Sequence, residues 1–303
     1  MNWINAFEIL CYVITALLLW DIIRKKSWKE LRLFLSAALA GFVLELLAVR
    51  VTGIYHYSPD FYISIGFKPY QFPFFGGLMW GGLTVCALRI SRKLGFGTLM
   101  TAFVTGWLIV SMDILLDVAA IRLNGGFWVW EGREITLDVT HHMFMSVIWV
   151  NFLGYLFETP AIAFLTLKNW EKDDGSVLRK ILTTIGIGLA GVAIVGVASL
   201  IALWLNSITD EWFSCIAFLL LWACILVRLI IQVIRKRGEL SLKCRKDWVL
   251  LVFWAAMYLY CLASLFSLGI LQAVPWYGVL AVLLAAGTML LPFAVDDPTL
   301  IER

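Results

Sequence analysis

The stretch T-L-M-T-A-F-V-T-G-W-L-I-V-S-M-D-I-L-L-D-V-A-A-I-R, residues 98–122, decides the fold of this chain. It is apolar enough, and long enough, to cross a bilayer as one helix, which takes ~20 residues. It nevertheless carries Asp113 and Asp117. An acid inside a membrane helix faces a bundle interior or a wet cavity and marks function. The i, i+4 spacing sets both carboxyls on one face, about one turn apart. Two carboxyls that close and poorly solvated disfavour double ionisation, so the pair shares a proton. An acid kept protonated at neutral pH is a reagent for proton transfer. The structural alternative is a hydrogen-bond network that glues helices together.

The same apolar pattern recurs on both sides of this helix. Of 303 residues, 62% are apolar and only 15% charged, unlike a soluble domain. The sequence predicts an all-α polytopic transmembrane bundle with about nine spans. They are Trp3–Ile23, Leu31–Ile54, Tyr70–Ile90, Thr98–Ile121, His142–Leu167, Ile181–Leu205, Trp212–Ile234, Trp248–Leu271 and Trp276–Val295. The protein is thus expected to be a multi-pass protein of the cell membrane, in contact with membrane lipids.

Basic residues alternate between the connections. The first holds Arg24, Lys25, Lys26, Lys29 and Arg32, and the third Arg89, Arg92 and Lys93. The fifth holds Lys168, Lys172, Arg179 and Lys180. The seventh holds Arg235, Lys236, Arg237, Lys243, Arg245 and Lys246. Against these, the even connections hold only Arg50, Lys68, Arg122 and Arg133. Under the positive-inside rule this predicts an outside N-terminus and an inside C-terminus. The net charge of +3 then sits against the inner leaflet and implies no nucleic-acid partner. The first apolar run has no basic region before it and no small-residue cleavage site, so it reads as a retained helix.

The chain reads as a single integral membrane domain over residues 1–303. Residues 31–168 form the expected site-bearing half, with nearly all intramembrane acids and all three histidines. Residues 180–296 form an apolar half, interrupted by Arg228 and Gln232. Its Gly186, Gly188, Gly191 and Gly196 read as close helix packing, as does Gly77-x-x-x-Gly81 in the third span. The six cysteines show no C-x-x-C spacing and read as small buried hydrophobes.

Three polar residues sit at one expected depth. Glu45, Asp113 and Asn151 each lie about nine residues inside the predicted outer end of their spans, roughly 13 Å deep at 1.5 Å per residue. They predict a shared cavity, with Asp117 one turn nearer the surface. Arg50 follows Glu45 by five residues, poor spacing for an ion pair, and either snorkels to the interface or reaches an acid elsewhere. Glu158 lies just before Pro160, where a kink exposes backbone carbonyls. The outer loops are ring-rich, with Tyr55, His56, Tyr57, Phe61 and Tyr62, then Phe127, Trp128 and Trp130. These form an interfacial belt or a mouth whose ring faces tolerate a carbocation. Asp138 and His142 are spaced to pair on a helix, but no spacing demands a metal. No nucleotide or redox cofactor motif occurs, so no cofactor is expected.

Several of these segments, in order, resemble a carotenoid-biosynthesis membrane family that includes the carotenoid 1,2-hydratases and the bisanhydrobacterioruberin hydratases. The resemblance rests on Glu45, T-G-I-Y-H-Y (52–57), F-P-F-F-G-G-L-M-W (72–80), D-I-L-L-D-V-A-A (113–120), G-F-W-V-W (126–130) and V-N-F-L-G-Y (150–155). It covers roughly residues 40–165. The chain departs from the family pattern at Val118, at Ser146–Trp149 and at Tyr155. The resemblance implies a hydro-lyase that adds water to a C=C end group of a carotenoid or other polyprenoid. Asp113, Asp117, Glu45 and Asn151 would be catalytic. Tyr55, Tyr57, Trp80, Trp128, Trp130 and Arg50 would bind the lipid-soluble isoprenoid substrate. Two other classes fit the residues: a proton-coupled transporter or lipid flippase using the acids as coupling sites, and a non-catalytic membrane scaffold.

Overall fold

The computed structural model describes residues 2–53, 55–130, 132, 134–171 and 175–294. Ile54, Arg133, Lys172 and Val295, used above for span ends and charge counting, lie outside them. Among the described residues ten α-helices make up the bundle: α1 (Trp3–Arg24), α2 (Trp28–Thr52), α3 (Phe74–Lys93), α4 (Thr98–Ala120), α5 (Trp149–Trp170), α6 (Val177–Ile208), α7 (Trp212–Arg235), α8 (Trp248–Ser267), α9 (Ile270–Ala273) and α10 (Pro275–Ala294). All but the four-residue α9 are long and apolar enough to cross a membrane, giving nine spans among the described residues. The chain is an all-α, multi-pass membrane protein.

Local chemistry sets several helix ends. The Asn2 side chain caps α1 by accepting from Ile4 N at 3.0 Å, and Ser176 caps α6 through Arg179 N. Asp247 caps α8 through Leu250 N at 3.1 Å. Each satisfies an N–H that the helix leaves unpaired. Gly53 ends α2 in the left-handed region, at φ 62°, where a residue with no Cβ is unstrained. Several predicted boundaries move: the sixth span begins at Val177 rather than Ile181, and the eighth ends at Ser267 rather than Leu271. The third span begins at Phe74 rather than Tyr70, and the fifth at Trp149 rather than His142. Residues 143–148 form a small hairpin instead, Met143–Phe144 against Val147–Ile148. Its two turn residues, Met145 and Ser146, both have positive φ, so the chain reverses where helix was expected.

Glycines fix the closest helix pair. On α3, a Cβ on Gly77 would meet the Phe42 ring at 2.5 Å, and one on Gly81 the Phe34 carbonyl at 2.7 Å. Both glycines therefore hold α3 against α2, as the G-x-x-x-G spacing predicts. On α6, Gly188 faces Ser36 O and Gly191 faces Ile162, but Gly186 and Gly196 face open space. Only half of that glycine set packs helices. The outer faces of α6, α7 and α10 carry exposed large apolar residues such as Leu200, Trp204, Leu220 and Leu283. In water so large a patch would aggregate; against lipid it needs no cover.

The division into halves is less clean than the sequence suggests. Helix α1, outside the expected site-bearing half, carries two fully buried acids, Glu8 and Asp21. Glu8 accepts from the backbone N–H groups of Tyr62 (2.6 Å) and Ile63 (2.9 Å), tying the α2–α3 loop to α1. Helix α8, from the apolar half, packs Phe253 against Gly82 of α3. Gln232 of α7 donates to Leu94 O at 2.7 Å, a structural role.

Arg89 also departs from its reading. Counted above as a loop charge, it lies inside α3 and is 2% exposed. Its Nε and Nη2 make a two-pronged contact with Glu30 of α2, at 2.9 and 2.7 Å. Its Nη1 reaches Asp21 of α1 at 3.1 Å and Asp247 at the start of α8 at 2.9 Å. Lys25 adds a second cation, 2.9 Å from Asp21. One guanidinium thus joins four helices at the end of the bundle that carries the basic connections. The planar fork of Arg suits this geometry, which a lysine could not reproduce.

Candidate active site

At the opposite end lies a cavity of about 110 Å³, against ~10–15 Å³ needed to hold one water. Its walls come from α1, α2, α3, α4, α5 and α8, and its roof from two loop strands. Those strands are β1 (Tyr55–Tyr57) and β2 (Trp128–Trp130), paired antiparallel with Tyr55 opposite Trp130 and Tyr57 opposite Trp128. Because strand side chains alternate, all four of these rings share the ribbon face that covers the cavity, and each lines it. Ring centroids are 5.1 Å apart for Tyr55–Trp130 and 6.1 Å for Tyr57–Trp128. His56 sits on the other side of the register.

Glu45 holds this roof down. Its Oε2 accepts from the hydroxyls of Tyr57 (2.7 Å) and Tyr55 (2.9 Å), and its Oε1 from Tyr155 of α5 at 3.3 Å. Burial, followed by the neighbouring Glu45 carboxyl, pushes the Tyr55 and Tyr57 phenols above their ordinary range. Both therefore stay protonated and donate. Tyr155 is thus part of the site. Its ring lies 4.7 Å from Trp80, which also lines the cavity.

Asp113 and Asp117 project from α4 into the same space, both buried. The two carboxyls stand one helical turn apart on α4 and interact electrostatically. Two carboxyls that close and out of water disfavour double ionisation. Asn151 Nδ2 donates to Asp117 Oδ2 at 2.8 Å. Asp113 Oδ2 is buried and takes no hydrogen bond from an N–H or hydroxyl donor, an unusual state for a buried polar atom.

Most of the predicted site residues therefore converge, with two corrections. Asn151 is level with Asp117, not Asp113, because α5 starts at Trp149 and Asn151 stands in its first turn. Arg50 is exposed and does not line the cavity, as expected of a side chain that snorkels to the interface. Sequence reasoning missed Phe7 of α1, Met79 of α3 and Met257 of α8, which also line the cavity. No local signal separates them from other apolar helix residues. Glu158 lies one turn beyond Tyr155 on α5, buried with no hydrogen bond to either oxygen, and outside the cavity lining. The half-buried lining residues Tyr55, Trp80, Leu116, Trp128, Asn151 and Tyr155 mark the opening.

Fold and site together define a class: a nine-span membrane protein with a carboxyl pair at the base of an aromatic cavity near one end of the bundle. No family model matches the chain, and no curated protein and no solved structure is significantly similar to it.

Proposed function

We propose that this protein is a membrane hydratase acting on the C=C end group of a carotenoid or another polyprenoid. The observation that carries the proposal is the Asp113–Asp117 pair, facing an aromatic-walled cavity with one carboxyl oxygen lacking a hydrogen bond. Hydration of a trisubstituted alkene needs a positioned Brønsted acid, a wall that tolerates a carbocation, and limited water. The carboxyl pair supplies the acid. Its proton goes to the less substituted alkene carbon, and the π electrons become the new C–H bond. The tertiary cation left behind meets the ring faces of Trp80, Tyr155, Trp128 and Trp130. A water oxygen then bonds to the cationic carbon, and its surplus proton returns to the Asp pair. The balance is one water added and the acid regenerated, with no cofactor required.

Roles divide by contact. Asn151 positions Asp117. Glu45, with both oxygens already accepting from phenols, is a positioning residue for the ring walls. The motif resemblance points to the same chemistry, and the protein would lie in the cell membrane with the cavity end outside. Reporters test that orientation: one inserted near Asn124 is expected to behave as external and one after Lys26 as cytoplasmic, and the reverse pattern would relocate the site.

The direct test is lipid profiling of a host that makes acyclic carotenoids, with and without this chain. The expected result is a product that has gained one water. Movement of an unchanged lipid across the membrane would favour the transporter reading instead. Variants then separate the roles. Asn151→Leu is expected to lower turnover at saturating substrate. Trp128→Ala is expected to raise the substrate load needed for half-maximal rate, or to return alkene from the cation. A Trp128→Ala variant indistinguishable from wild type would make the rings an interfacial belt only.

A further inference from the structure

A second cluster lies where the α4–α5 connection meets the α6–α7 turn. His141 and His142 come from the first, and Asp210 and Glu211 from the second, ~70 residues later in the chain. His141 Nε2 is 3.5 Å from Asp210 Oδ2, and His142 Nδ1 is 3.1 Å from Glu211 Oε2. One ligand atom from each of His141, His142 and Asp210 falls within 4.8 Å of the others. His141 Nε2 is buried and completes no hydrogen bond.

The surroundings hold these groups in place. The His141 imidazole stacks on Trp212, with centroids 4.4 Å apart and planes 3° from parallel. Thr140 accepts from the His142 N–H through its hydroxyl at 3.2 Å, and its carbonyl accepts from Trp149 Nε1 at 2.8 Å. Asp210 and Glu211 occupy the left-handed region consecutively, at φ 49° and 63°. Residues with a Cβ rarely take that conformation, still less two in a row. The turn is held by Asn206, whose carbonyl accepts from Glu211 N at 2.9 Å and whose side chain accepts from Ser214 N at 2.9 Å. The result aims both carboxylates at the histidine pair.

We propose that His141 Nε2, His142 Nδ1, Asp210 and Glu211 bind a divalent ion of the zinc type, independently of the hydratase reading. Two imidazoles with two carboxylates match the ligand preference of zinc, whereas calcium and magnesium select oxygen sets. Tetrahedral zinc with bonds of ~2.0–2.2 Å sets its ligand atoms roughly 3.4 Å apart. The two nitrogen–oxygen separations already bracket that value. Asp210 already stands in the 4.8 Å group, and Glu211, 49% exposed at its side chain, is the ligand that must swing in to complete the set. A bound ion would staple the segment that starts α5, with Asn151 in its first turn, to the α6–α7 turn.

Titrating zinc into tag-free, chelator-treated protein in detergent tests the site. One ion per chain is expected, with micromolar or tighter affinity and a raised melting temperature. The double variant His141→Ala/His142→Ala and, separately, Asp210→Asn are expected to bind at least tenfold more weakly. Their metal-free melting temperatures, matching wild type, establish that they fold. Cobalt provides a second readout that needs no variant: tetrahedral d–d absorption with no thiolate charge-transfer band. Unchanged zinc affinity in the variants, no stoichiometric binding in wild type, or a thiolate band placing the ion at a cysteine would each overturn the proposal.

Discussion

Replacing Asp117 with asparagine is expected to leave a folded, membrane-inserted protein whose hydration rate falls by roughly 10²–10⁴-fold, the usual contribution of a positioned general acid. Asparagine keeps the volume and still receives the bond from Asn151 Nδ2, which now ends on Asp117 Oδ2 at 2.8 Å. It cannot hold the proton shared with Asp113. Asp113→Asn is expected to give a loss of the same order. The double variant should be little worse than either single one, because residues that act as a unit are not additive. Two measurements are needed: product with one added water per unit time, and the amount of protein in the membrane. If both single variants are absent from the membrane, the pair glues helices. If either one turns over at the wild-type rate, that residue is not the acid.

The largest stability effect is expected at the other end of the bundle. Arg89→Met removes the cation that Glu30, Asp21 and Asp247 share within 3.1 Å. Three buried carboxylates would then depend on Lys25, 2.9 Å from Asp21 and 3.8 Å from Asp247, and on the half-exposed Arg24, 3.1 Å from Asp21. Leaving charge buried without its partner costs ~3–5 kcal/mol. The cost falls on the junction of α1, α2, α3 and α8, far from the cavity. Unfolding of the detergent-solubilised protein measures it, with Arg50→Met as the exposed control, expected within about 0.5 kcal/mol of wild type. A loss at Arg89 no greater than at Arg50 would show that the cluster contributes nothing net. Substituting Arg89 together with all three acids by apolar residues is expected to recover much of the loss, since a well-packed apolar set often replaces a buried ion cluster without penalty.

What the sequence determined about this protein is whatever follows from local length, period and the cost of desolvation. A run of ~20 apolar residues has one stable state in a bilayer, a spanning helix. Nine such runs therefore appear where they were expected. Asp113 and Asp117 could be assigned to one face because four residues make about one turn. Gly77 and Gly81 could be assigned to a helix contact for the same reason. These inferences need no knowledge of distant residues.

Tertiary structure decided which distant groups meet. The pairing of Tyr55–Tyr57 with Trp128–Trp130 joins loops ~70 residues apart, and neither strand is long enough to announce itself. That pairing turns scattered rings into a roof and makes Glu45 the acceptor for two of them. The hairpin at residues 143–148 shifted the start of α5 to Trp149 and so set Asn151 beside Asp117. Hydropathy counts apolar residues but does not see a chain reversal. Arg89 scores as a loop charge by sequence position, yet three acids from α1, α2 and the start of α8 make its burial tolerable. The same reason applies to His141 and Asp210. A short-range pattern reports what one segment can do alone, whereas a buried charge or an ion site is stable only through partners that the fold brings from elsewhere in the chain.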